Sequence, residues 1–142
     1  MGNNLEAKVK LINDQIKFSC TAKDNPEIVA DYIPPLGNNE GYMPLELFLI
    51  SLGACTSGTI LPLLRRMRKT ITGFEMKIQG TRREQHPTSF SQILMDIQIQ
   101  SNDLENDDLE KALRLAEETY CPVWAMIKNN VTVETKYKII KK

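Results

Sequence analysis

The 142-residue sequence carries no excess charge of either sign: 18 lysines and arginines balance 18 aspartates and glutamates. Single-sign charge fields draw proteins to phosphate backbones or anionic membrane surfaces, so neither nucleic acid nor a membrane surface is the expected partner. Arginine is missing from the N-terminal part, the first being Arg65. Histidine is scarce too. The one copy, His86, lies in a polar stretch without a cysteine or carboxylate at ligand spacing, a poor donor set for zinc, and no metal is expected. Cysteines number three, an odd count that speaks against a disulfide framework. No Cys-x-x-Cys pair, phosphate-binding glycine loop, dinucleotide fingerprint or nucleophile elbow occurs, so no nucleotide cofactor is expected. The start is short and polar rather than secretory, and Glu6 stands where myristoylation needs Ser or Thr; the expected location is the cytoplasm.

What is present is one long uncharged run. Between Leu47 and Leu64 no residue is charged, and the polar positions are small hydroxyls and glycines: Ser51, Gly53, Thr56, Ser57, Gly58 and Thr59. Pro44 opens this segment as a first-turn proline, and Arg65, Arg66, Arg68 and Lys69 close it where cations meet the negative end of a helix dipole. A helix apolar all round is buried all round. A membrane span is the alternative by length. Pro62 and the small polar residues around Thr56 argue against it, as do the strand patterns on both sides that need a core. Cys55 sits mid-helix after Gly53 and Ala54, which leave room beside the sulfur.

On either side the pattern has period two. Ala7, Val9 and Leu11 alternate with charges, Asn13-Asp14 offers a turn, and Ile16, Phe18 and Cys20 alternate with polar residues, predicting a hairpin with Cys20 on its apolar face as a small core residue. A short third strand is expected in Glu27 to Ile33, before the Pro34-Pro35 loop. After the helix, Phe74, Met76 and Ile78, then Ile93 to Ile99, predict a second hairpin with His86 at its tip. A second helix is expected after Asn106, with Asp107 and Glu110 as its capping box. Pro122 must kink it or restart it, and a restart places Cys121 at the N-cap, where partial positive charge favours a thiolate. Val131 to Ile139 reads as a closing strand. The order of elements is α+β in a single domain spanning the chain. Two helix-borne thiols, Cys55 and Cys121, stand out, although pattern alone leaves packing and chemistry both open for them.

The segment Pro44-Leu-Glu-Leu-Phe-Leu-Ile-Ser-Leu-Gly-Ala-Cys55-Thr, with Cys121-Pro122-Val far downstream, resembles the OsmC/Ohr family of osmotically inducible and organic-hydroperoxide-resistance proteins. The resemblance implies an interleaved homodimer in which antiparallel strands pack on a long buried central helix and a second, kinked helix. It also implies that Cys55 attacks the O–O bond of an organic hydroperoxide, that Cys121 condenses with the resulting sulfenic acid, and that a dithiol reductant reopens the disulfide. Glu46 matches the helix glutamate which in family peroxidases holds an arginine of the N-terminal strands against the thiolate. Here the acid stands one position closer to the cysteine, Leu45 following the proline, and the N-terminal arginine is absent. Lys17 or Lys23 are the nearest substitutes, without the bidentate fork of arginine. A buried thiol lacking a cation has a raised pKa. The alternative is a non-catalytic homodimer that binds a small apolar ligand at its interface.

Overall fold

The structure, a computed structural model, describes residues 3–142. Its contacts group the chain into two compact units, one ending at Phe48 and the other running Leu49–Lys142. In the first unit, β1 (Lys8–Leu11), β2 (Phe18–Thr21) and β3 (Ile28–Ala30) form an antiparallel sheet in that order. The Asn13 carboxamide shapes the first turn, its Oδ1 accepting the N–H groups of Gln15 and Lys17. The register aligns Val9, Cys20 and Ile28 in one row and Leu11, Phe18 and Ala30 in another. Both rows share one face, because side chains alternate along a strand. In the isolated chain that face is incompletely covered: Val9 is 66% and Leu11 52% exposed, and Cys20 is half-buried rather than core.

Between β3 and the central helix, the loop turns around the fully buried Asp31. One carboxylate oxygen accepts the N–H of Tyr32 at 2.7 Å, and the other those of Asn38 at 3.2 Å and Glu40 at 3.1 Å. Gly37 is needed here, since a Cβ would lie 2.3 Å from the Asp31 carboxylate. Burial by itself would raise the Asp31 pKa, but the N–H groups of Tyr32, Glu40 and Asn38, with Lys17 nearby, outweigh it and hold the carboxyl below the ordinary 3.8. A depressed pKa contributes stability above the unfolded value and loses it as pH falls through the folded value. Asp31→Asn, which turns an N–H against these N–H groups, should therefore lower the urea midpoint at pH 7, the difference from wild type shrinking once pH drops below 3.8. A pH-independent difference in urea titrations would contradict this role.

The central helix α1 runs Pro44–Arg66, as the uncharged run predicts, and begins in the first unit and continues into the second. By length and composition it is apolar enough to cross a membrane. In the isolated chain its burial is confined to a stripe, Leu52, Gly53, Thr56, Ile60 and Leu64, whose spacing of about four residues is one helical face. The expected burial on every side is thus not met within one chain, where Ile50 is 49% exposed. The basic end behaves as a helix terminus: Arg68 adopts a positive φ of 64°, and Lys69 N–H returns to the Leu64 carbonyl at 3.1 Å.

In the second unit, β4 (Gly73–Arg82) and β5 (Phe90–Gln100) make the second hairpin, and β6 (Thr132–Ile140) adds to β5 in parallel, giving the order β4-β5-β6. Ile93, Met95, Ile97 and Ile99 of the middle strand are fully buried. His86 is exposed at the hairpin tip. α2 (Asn106–Leu115) starts with a capping box two residues earlier than Asp107 and Glu110 suggest. Glu105 is the N-cap, and its N–H donates to Asp108 Oδ2 at 3.0 Å. Glu110 is engaged elsewhere: it accepts the Tyr137 hydroxyl at 2.5 Å, and that bond chiefly pushes the tyrosine pKa up to about 12.

Candidate active site

Cys55 and Cys121, 66 residues apart in sequence, meet in the second unit with their sulfurs 3.1 Å apart. The meeting depends on how the second helix is interrupted. After α2 the chain widens into a π-helical turn, Ala116–Tyr120, closed by Cys121 N–H donating to the Ala116 carbonyl five residues back at 2.9 Å. Pro122 cannot donate an N–H and its ring excludes the helical path behind it, so the chain straightens at Cys121 (φ −83°, ψ 107°) before α3, Pro122–Ile127, restarts. Cys121 is therefore the N-cap of α3 and Pro122 its first residue, so that of the kink and the restart left open by the Cys-Pro pair the structure has the restart.

Cys121 is buried, at 2% exposure, whereas Cys55 is half-buried and accessible. The Cys121 thiol donates to Cys55 Sγ, and Val123 N–H, freed at the start of α3, also points to Cys55. Thr56, fully buried, places Oγ1 3.7 Å from Cys121 Sγ. Both thiols are free, about 1 Å further apart than a disulfide bond length of ~2.05 Å. Desolvation raises the Cys55 pKa above the ordinary 9.0, and the neighbouring Cys121 thiol, itself ionisable, adds to the rise, while Val123 N–H opposes it. This is the direction in which burial moves a thiol. Its thiolate thus forms only above the ordinary thiol value, so alkylation of Cys55 followed by peptide mapping should accelerate through pH 9 instead of levelling off beneath it. A plateau reached near pH 7 would show a lowered pKa and a cation supplied from elsewhere.

The remaining candidates belong to the first unit. Glu46 belongs to the first unit, where its carboxylate accepts the Met43 N–H at 2.8 Å and caps the start of α1. Lys17 pairs with Glu40 at 3.2 Å, and Lys23 is an exposed turn residue with a positive φ of 56°. Thr56 and the Val123 amide were not legible as site groups in the sequence. The signals were nonetheless present: a hydroxyl beside Cys55 in an apolar helix, and an N–H freed in the first turn after Pro122.

An α+β scaffold with a half-buried helix thiol facing a buried second thiol defines a dithiol protein with the cysteine of its central helix accessible. A family model described as OsmC-like protein matches residues 37–136. The chain belongs to the OsmC-like family. It is 27% identical to Protein YhfA of Escherichia coli K12 over 138 residues, covering 96% of this chain and 98% of that one. Among solved structures, a hypothetical protein from Aquifex aeolicus superposes with a TM-score of 0.86 at 26% identity, covering 99% of each chain. An organic hydroperoxide resistance protein OsmC from Legionella pneumophila superposes at 0.74 with 17% identity, covering 95% of this chain and 96% of the other. At that identity the likeness is one of fold.

Proposed function

We propose that this chain is a cysteine-based redox protein that reduces organic hydroperoxides, with Cys55 attacking and Cys121 resolving. The observation carrying the proposal is the 3.1 Å approach of an accessible sulfur to a buried one. In the first step the Cys55 thiolate attacks the terminal oxygen of R–O–OH. The O–O bond breaks, the alkoxide leaves and takes a proton as alcohol, and Cys55 becomes a sulfenic acid. Cys121 then attacks the Cys55 sulfur, the S–S bond forms, and the S–O bond breaks with loss of water. A dithiol reductant restores both thiols, and the cycle requires neither metal nor nucleotide. Glu46 enters by fixing the start of the helix that bears Cys55. The Legionella protein of the same fold, named for organic hydroperoxide resistance, supports the substrate class. The test is loss of free thiol on adding an organic hydroperoxide: rapid loss of two thiols per chain supports the reading.

The raised Cys55 pKa favours a second reading, a protein of the same fold that binds a small apolar ligand without turnover. Thiols that stay free through prolonged exposure to hydroperoxide would select it.

Both readings include a homodimer. The apolar face of the first sheet, with Val9, Leu11 and Ile28 exposed, and Ile50 on α1 need a cover that the isolated chain does not supply. A second copy meets that need with the same surfaces. Sedimentation at low micromolar concentration should give twice the 16.2 kDa chain mass. A stable folded monomer there would defeat the dimer.

A further inference from the structure

We infer that Thr56 is a positioning residue for the resolving thiol, a role that rests on the proposed dithiol reading. Hydroxyls in helix interiors usually bond back to a carbonyl four residues earlier. Two neighbours do so: Ser57 Oγ donates to the Gly53 carbonyl at 2.7 Å and Thr59 Oγ1 to the Cys55 carbonyl at 2.9 Å. Thr56 instead turns its hydroxyl across to Cys121 Sγ. Because the Cys121 S–H is donated to Cys55, the Thr56 O–H is the donor and the Cys121 sulfur its acceptor. Hydroxyl, buried thiol and accessible thiol thus form a directed row.

In the reduced pair this bond orients Cys121 toward Cys55. Once Cys55 is a sulfenic acid, the row supplies what closure needs. The Cys121 S–H gives up its proton, the thiolate retains the Thr56 hydroxyl as its donor, and its electron pair forms the S–S bond as hydroxide leaves and is protonated to water. Without that donor the buried thiolate is less favoured and closure slows. A second hydroperoxide then competes, oxidising the sulfenic acid to sulfinic acid while itself being reduced to alcohol.

Thr56→Val keeps the shape and removes the hydroxyl; Thr56→Ser keeps the hydroxyl. With excess cumene hydroperoxide, mass spectrometry should show the ratio of Cys55–Cys121 disulfide to Cys55 sulfinic acid reduced about two- to ten-fold in Thr56→Val, the range of one hydrogen bond, and restored in Thr56→Ser. A second arm needs no peroxide. Glutathione disulfide oxidises the two thiols to the disulfide and yields two reduced glutathiones. A disulfide sulfur is a poorer acceptor than a thiol or thiolate, so losing the hydroxyl should shift that equilibrium about two- to ten-fold toward the disulfide. Unchanged ratio and equilibrium in Thr56→Val would overturn the inference. So would equal changes in both variants tracking a loss of thermal stability, which would mark Thr56 as packing only. If wild type ignores the hydroperoxide, the proposed function falls and the glutathione arm alone decides the role of Thr56.

Discussion

Cys121→Ser is expected to turn a reversible oxidation into inactivation after a single turnover. With equimolar cumene hydroperoxide, wild type should accumulate a Cys55–Cys121 disulfide that a dithiol reopens, since the sulfurs already stand 3.1 Å apart. Serine at 121 cannot close a bond to sulfur, so the Cys55 sulfenic acid persists, and a second equivalent of hydroperoxide added after the first carries it to the sulfinic acid, which a dithiol does not reverse. Cys55→Ser removes the attacking atom and should abolish reaction outright, because Cys121 is only 2% exposed. The contrast is qualitative, one variant dying after one cycle and the other inert from the start. Peptide mapping of the oxidised cysteines reads all three proteins. Oxidation of Cys121 in the Cys55→Ser protein at the wild-type rate would reverse the assignment of the two roles.

The largest stability effect is expected at Ile97→Ala. Ile97 lies in the middle strand of its sheet, opposite Met76 on one side and Tyr137 on the other, with no solvent exposure. Truncation forfeits the transfer free energy of the removed groups and leaves a cavity that two flanking strands keep from collapsing. The cost for such core changes is about 2–5 kcal/mol, a large share of the ~5–15 kcal/mol of an ordinary domain. Equilibrium urea unfolding of wild type and variant at matched chain concentration measures it. A shift below about 1 kcal/mol would mean that neighbouring side chains refill the site.

The helix–strand layout was readable because its signals are local. An uncharged run opened by Pro44 and closed by arginines can form little else, and period-two alternation marks β4 and β5 as it marks the first hairpin. Cys121-Pro122 announced an interruption of the second helix, by kink or by restart, for an equally local reason, the missing amide hydrogen of proline. The capping box was misplaced because Glu110 has a competing partner in Tyr137, far away in sequence and unavailable to any pattern. Cys20 reads as core from its alternation, yet a face that is apolar in pattern is covered only if something packs on it.

Propensity, periodicity and proline chemistry act between near neighbours, so the class of fold, the elements and the two candidate thiols could be read from the chain. That those thiols touch, that Cys55 is the accessible one and Cys121 the sealed one, and that Thr56 and the Val123 amide join them came only with packing. Each of these depends on side chains brought together by packing across 65 or more residues of chain. The π-helical turn before Cys121 and the extended backbone at Cys121 set the direction of its sulfur, and burial sets the direction of the Cys55 pKa. Both are consequences of where the chain is packed, and packing is a property of the whole fold.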